Sequence, residues 1–244
     1  MIELSHITKA YKKRKVVDDF TLTVHAPIFG FLGQNGAGKT TIMKMMVGLT
    51  LSTAGTITIG GKPAGEAATK EMTGFMPESP YFYERLTGLE FLRFCGELFQ
   101  KSRAKTDDDY GALLKKVGIY GAKDRYVSTY SKGMKQRLGF AQALVNDPEY
   151  IFLDEPLDGL DPVGRKEMKT IIRALKAEGR NVFFNSHILY DIEELCDEMG
   201  IVHSGKLLYA GPVKAFTQGK SLEERFVETV EAHVQKEGGA ISVA

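Results

Sequence analysis

Residues Gly33-Gln34-Asn35-Gly36-Ala37-Gly38-Lys39-Thr40 follow the pattern G-x-x-x-x-G-K-[S/T], followed by Thr41. The five residues before them, Ile28-Phe29-Gly30-Phe31-Leu32, form a continuous apolar run, as a strand buried on both faces requires. After them, apolar Ile42, Met43, Met45, Met46 and Leu49 predict a helix. A strand, a glycine loop and a helix in this order turn successive backbone N–H groups inward around phosphate oxygens. The helix start offers its positive end to the same anion. Lys39 then supplies a mobile cation for the β and γ phosphates, and Thr40 a hydroxyl for Mg²⁺. The loop backbone of Gly33, Gln34, Asn35, Gly36, Ala37 and Gly38, with Thr41, completes the expected phosphate site.

The rest of the chain is organised around that unit. Residues 2–8 and 21–25 alternate and are β-branched, so they read as strands joined through a basic turn, Lys12-Lys13-Arg14-Lys15. In a chain of net charge +1 that turn is expected to be solvated, and no direct nucleic acid binding is expected. Between about residues 86 and 146 the pattern changes. Leu89, Phe91, Leu92, Phe94, Leu98 and Phe99 recur at helical spacing, and so do Leu113, Leu114, Val117, Leu138, Ala141, Leu144 and Val145. Asp107-Asp108-Asp109 fits a helix N-terminus, where the dipole favours negative charge. Strands and helices then alternate again, through Tyr150-Ile151-Phe152-Leu153 and Asn181-Val182-Phe183-Phe184. A charged helix is expected over 221–236, with Phe226, Val227 and Val230 on one face.

This order predicts an α/β fold: a P-loop NTPase core with a parallel sheet, an N-terminal antiparallel β subdomain and a helical subdomain. The expected division is 1–85 and 147–215 for the core with its β subdomain, 86–146 for the helical part, and 216–244 for a helical tail. With 43% hydrophobic and 26% charged residues, the chain has the balance of a globular protein, which excludes disorder and fibrous repeats. The start, MIELSHITKAYKKRK, has no apolar signal segment, and no run approaches the ~18 apolar residues of a membrane span. Two cysteines without metal spacing, Cys95 and Cys196, suit a reducing compartment. A cytoplasmic protein is therefore expected.

Two further strand ends carry chemistry. Asp154 and Glu155 follow a buried-strand pattern, so they point to the crevice where α/β sheets bind ligands. Asp154 is placed to hold Mg²⁺ through water, and Glu155 to polarise a nucleophilic water. His187 follows the next strand and suits contact with a γ-phosphate, and Ser186 is expected to cap the helix after it.

With these elements in order, the chain resembles the ATP-binding subunits of ABC transporters from about residue 2 to 215. Tyr130-Ser131-Lys132-Gly133-Met134-Lys135-Gln136-Arg137 resembles that family's signature motif. Leu157-Asp158-Gly159-Leu160-Asp161 resembles its D-loop, and Asn185-Ser186-His187 its switch histidine. Tyr11 stands where the family has an aromatic that stacks on adenine. The resemblance implies a homodimer that sandwiches two ATP molecules with Mg²⁺, and a transmembrane permease subunit driven by it. Ser131, Lys132, Gly133 and Asp161 would then join the nucleotide contacts. Glu155 would be the base and His187 the γ-phosphate sensor. Ser131 suits capping a helix aimed at phosphate, and Gly133 suits close backbone approach.

Two positions depart from the family pattern. Glu78 stands where a glutamine is usual; it accepts hydrogen bonds without donating, and remains a candidate for the attacking water or for Mg²⁺. Lys132 and Met134 replace glycine and glutamine in the signature. The ending Ser221-Leu222-Glu223-Glu224-Arg225-Phe226 is similar to that of short bacterial exporter subunits. The alternative is a soluble ATPase of the same family acting on ribosomes or DNA. A GTPase would need an Asn-Lys-x-Asp motif, which the chain lacks. The aromatic cluster Tyr81-Phe82-Tyr83, with Leu86, leaves two uses open: a groove for a membrane partner, or packing inside the protein.

Overall fold

The computed structural model describes residues 1–100 and 104–236. In chain order its strands are β1 (Ile2–Tyr11), β2 (Arg14–Val24), β3 (Ile28–Leu32), β4 (Ala54–Ile59), β5 (Lys62–Pro63), β6 (Thr73–Met76), β7 (Tyr150–Asp154), β8 (Asn181–Ser186), β9 (Glu198–His203) and β10 (Lys206–Pro212). Its helices are α1 (Lys39–Met46), α2 (Ala67–Lys70), α3 (Gly88–Glu97), α4 (Asp107–Lys116), α5 (Lys132–Ala143), α6 (Pro162–Ala177), α7 (Leu189–Leu195), α8 (Val213–Thr217) and α9 (Leu222–Lys236). These elements form two compact units. One is Met1–Pro63 with the chain from Asn185 onward; the other is Ala64–Phe184.

In the first unit, β2, β1, β4 and β5 lie in that order in an antiparallel sheet. Alternation puts Ile2 and Leu4 of β1 and Leu22 and Val24 of β2 inside. It then breaks: Leu4 faces Leu22, but the next buried pair is Ile7 with Phe20, one residue out of step. His6 and Asp19 adopt φ of 50° and 49° there, and their side chains meet at 2.7 Å. This bulge returns Ile7 to the core side. The basic residues 12–15 lie exposed around the hairpin turn.

The same unit holds β3, parallel to β9, and β9 runs antiparallel to β10. All five residues of β3 are buried, as its unbroken apolar run requires. Helix α1 stops at Met46, one turn earlier than Leu49 suggested, and Leu49 is exposed beyond it. Gly48, at φ 73°, ends the helical path there. Helix α9 lies against α7, α8 and β10. Its inward stripe is Leu222, Phe226 and Val230, and Val227 is outside it. A step of four keeps a residue on one face, whereas one more residue rotates it by about 100°. Residues 237–244 of the expected tail, and 101–103 of the expected helical region, lie outside the described residues.

The second unit pairs β6 with β7 in parallel, Thr73 opposite Tyr150 and Met76 opposite Leu153. Helices α3, α4 and α5 pack on one another around Phe91, Leu92, Tyr110, Leu114, Leu138 and Phe140. Helix α3 begins in a capping box. Thr87 Oγ1 accepts from the Glu90 N–H, and Glu90 Oε2 accepts from the Thr87 N–H at 2.8 Å. The Thr87 backbone N–H, and after it the Thr87 hydroxyl, hold the Glu90 carboxyl below the usual carboxylate range. At α4 all three residues of the acidic run stand in the first turn, as expected of a helix N-terminus. Asp109 accepts from Thr106, while Asp107 forms an ion pair with Arg93 at 2.6 Å.

Helix α5 closes on β6 at Gly74, where an added Cβ would sit 1.8 Å from the Ala143 carbonyl oxygen. Gly74→Ala must move backbone, and is expected to destabilise the protein by about 3 kcal/mol in urea unfolding. An unchanged midpoint would mean that α5 slides freely on the sheet.

Candidate nucleotide site

The first unit carries the loop. The Leu32 end of β3 leads into Gly33, where an added Cβ would stand 2.3 Å from the Val202 carbonyl oxygen of β9. Only glycine lets the loop leave the sheet so close to its neighbour. Gly36 and Gly38 have φ of 81° and 108°, conformations that L residues rarely adopt. Gly38 is also the N-cap of α1 and contributes no capping side chain. The first turn of α1 holds no acidic residue. Its N–H groups and dipole therefore face the loop with no acidic side chain of their own turn beside them.

Lys39 opens α1 and is 94% buried by its surroundings, with 6% of its surface exposed. Its ammonium donates to the Gly33 carbonyl oxygen and, at 3.1 Å, to that of Gln34. The cation is thus held at the loop it is expected to serve. Gln34, Asn35 and Gly36 form the exposed rim, Ala37 is buried beneath, and Thr40 and Thr41 are half-buried on the first turn. The floor is tied to the strands below: Gly205 donates to the Ala37 carbonyl at 2.8 Å. These features fit the polyphosphate of a nucleotide.

Two other predicted residues belong to this unit. Tyr11 ends β1, is 51% exposed, and has the Lys9 ammonium 4.8 Å from its ring centre. An exposed ring of this kind retains surface for stacking. His187 is exposed directly after β8. Before it, Asn185 is fully buried and its amide approaches Met43 Sδ of α1 at 3.9 Å. Ser186 does not cap α7 as expected. Its Oγ accepts from the Ile188 N–H at 3.0 Å, and Ile188 is itself the N-cap position. The two-residue turn after the strand places the hydroxyl too early for the second or third helical N–H.

The second unit carries the acids and the signature. Asp154 closes β7 with 1% of its surface exposed. Glu155 follows half-buried, at φ 48°. Glu78 is exposed just past β6. Ser131 caps α5, its Oγ accepting from the Met134 N–H at 3.2 Å. Lys132 is exposed and Gly133 half-buried on the first turn of that helix. Asp161 caps α6, its carboxylate accepting from the Gly164 N–H at 2.6 Å, with Pro162 at the first helical position.

Within this unit the structure joins the signature helix to the segment after β7 through Lys132 and through Gln136, to which motif reading gave no role. Gln136 is 5% exposed and donates to the Glu155 and Pro156 carbonyl oxygens at 3.2 and 3.3 Å. Lys132 pairs with Asp158 at 3.3 Å. A sequence signal for Gln136 existed: it shares a helix face with Phe140, four residues on, so a polar side chain stood on an apolar stripe.

Mg²⁺ commonly takes one or two protein oxygen ligands and fills the rest of its shell with phosphates and water. Thr40 of the first unit carries a hydroxyl and Asp154 of the second a carboxylate, each an oxygen donor of the kind Mg²⁺ takes. Among the described residues, no cluster of three or more His, Cys, Asp or Glu suits a metal held by protein alone.

Residues 17–158 match the family model described as ABC transporter. The chain is 48% identical over 185 residues to an ABC transporter ATP-binding protein of Synechocystis, covering 75% of this chain and 52% of that one. It is 40% identical over 233 residues to the bacitracin transport ATP-binding protein BcrA of Bacillus licheniformis, covering 93% of this chain and 74% of that one. It therefore spans about half the length of the first relative and about three quarters of the second. A solved ATP-binding subunit of an ABC transporter matches with a TM-score of 0.86 at 29% identity, covering 94% of this chain and 99% of that chain.

Proposed function

We propose a working cycle for this chain, which belongs to the ABC transporter family as one of its ATP-binding ATPase subunits. Two copies close head to tail around two Mg-ATP molecules and drive a separate transmembrane subunit that exports cargo. The observation that carries this reading is the loop: a glycine-capped helix start with a buried lysine held at the loop carbonyls. The relative named for bacitracin transport supports a transport role.

Each residue then has a task. The loop amides from Gly33 to Thr41 and the Lys39 ammonium bind the β and γ phosphates. Tyr11 stacks on adenine. Thr40 and, through water, Asp154 would hold Mg²⁺, which would draw charge from the phosphate oxygens. Glu155 takes a proton from a water whose oxygen attacks the γ-phosphorus, and the bond to the β–γ bridging oxygen breaks, leaving ADP and phosphate. His187 contacts the γ-phosphate, and Glu78 accepts a hydrogen bond from the attacking water or a Mg²⁺-bound one. Ser131, Lys132 and Gly133, at the positive start of α5, meet the γ-phosphate of ATP bound to the other copy, and Asp161 lies on the same contact. The core and β subdomain correspond to 1–85 and 147–215, the helical part to 86–146, and the tail begins at 216.

Among the described residues, no helix is long and apolar enough to cross a membrane. In this reading the membrane path belongs to a partner, which holds this chain at the cytoplasmic face. The second unit offers an apolar surface for it. Tyr81, Tyr83, Phe94 and Leu98 are 90%, 56%, 38% and 70% exposed, and the Tyr83 and Phe94 rings touch at 5.0 Å. Phe82 differs: it is 8% exposed and packs on Phe91. The cluster divides, with its centre in the core and its flanks outside.

The test is recovery of the tagged chain from detergent-solubilised membranes of its native host. A polytopic membrane protein at equal stoichiometry is expected, and Tyr81→Ala with Tyr83→Ala is expected to lose it while ATP still binds. Recovery only with ribosomes or nucleic-acid proteins would overturn the transport assignment and leave the ATPase chemistry standing.

A further inference from the structure

We infer that Gln136 is a positioning residue that holds the backbone of Glu155, so that the signature helix and the base of one subunit move as one piece. The inference rests on the reading of Glu155 as the base. Glu155 occupies the left-handed region, at φ 48°, and precedes Pro156, which restricts it further. A non-glycine residue stays in such a conformation only when its surroundings over-determine it. Gln136 does this from the buried side. Its amide nitrogen has two hydrogens and two carbonyl oxygens in reach, those of Glu155 and Pro156. The Glu155 oxygen also accepts from the Asp158 N–H at 3.1 Å. The strained residue thus opens a turn that α5 clasps by its carbonyls.

The same helix grips the far end of the turn. Lys132 reaches Asp158 by lying across Gly159, where an added Cβ would come within 2.4 Å of Lys132 Cε. Leu160 packs against the Gly133 position at 3.6 Å from an added Cβ. Residues one turn apart on α5, Lys132 and Gln136, therefore hold the exposed and buried ends of the segment 155–160. In the proposed dimer the start of α5 serves ATP on the other copy, whereas Glu155 serves ATP on its own. A shift of α5 on meeting the neighbouring γ-phosphate reaches Glu155 through Gln136, and the two sites are coupled within one unit.

The test is a double-mutant cycle with the full chain. Gln136→Met keeps length and volume but removes both hydrogen bonds. It is expected to lower kcat by roughly 10- to 100-fold with nucleotide Kd unchanged, the loss expected when buried acceptors go unsatisfied at the reacting residue. Combined with Glu155→Gln, it should add no further loss, because it acts through the side chain already removed. If the Met variant does not fold, Gln136→Asn is used; its amide is one methylene too short for both carbonyls, and the same non-additive pattern is expected at smaller amplitude. Unchanged kcat, or a loss that multiplies with that of Glu155→Gln, overturns the inference while the role of Glu155 stands. Normal turnover in Glu155→Gln alone overturns the underlying reading instead.

Discussion

Glu155→Gln is expected to lower ATP turnover by on the order of 10² or more and to leave ATP binding intact. The amide matches the carboxylate in size, so the half-buried pocket and the strained backbone at φ 48° have no steric reason to change. It cannot take the proton of the attacking water. The ATP-bound state then persists, because the step that would end it is blocked, and the population shifts to the closed dimer. Size-exclusion chromatography with Mg-ATP should show a dimer, and phosphate release should be nearly absent. A variant that stays monomeric and hydrolyses normally would remove Glu155 from the mechanism.

Lys39→Ala is expected to act one step earlier. The ammonium is buried and bonded to the loop carbonyls of Gly33 and Gln34. Against a polyphosphate it makes charge-assisted hydrogen bonds, worth about 1.5–3 kcal/mol each. Its loss should raise the nucleotide Kd by about 10²-fold, read by titration with a fluorescent ATP analogue. Turnover and ATP-dependent dimerisation should fall with it. The glycine geometry at Gly33, Gly36 and Gly38 is set by strand packing and φ, so the thermal midpoint should move little. Unchanged affinity would separate the lysine from the phosphates. The two variants part cleanly: one binds and does not turn over, the other does not bind.

The site was legible where a covalent pattern carries its own geometry. The loop needs glycine at positive φ, and a continuous apolar run needs burial on both faces, so Gly36, Gly38 and β3 follow from residue type alone. The cap at Ser131 is equally local, because its side chain bonds an N–H three residues away. Local rules failed where an interruption shifts the register. The bulge at His6 flips the alternation of β1 in mid-strand, the helix after the loop stops before Leu49, and one residue of rotation puts Val227 outside.

The sequence by itself determined the glycine loop, the order of strands and helices, the acids at the strand end and the family. These depend on neighbours in the chain, where spacing and conformational preference are strong. Tertiary structure alone decided that Phe82 is core while Tyr81 and Tyr83 are surface. It also decided that Lys132 reaches Asp158, and that Gln136, far from Glu155 in the chain, holds its carbonyl. A long-range contact depends on where two backbones come to lie, and a residue's type does not encode the partner that packing brings to it.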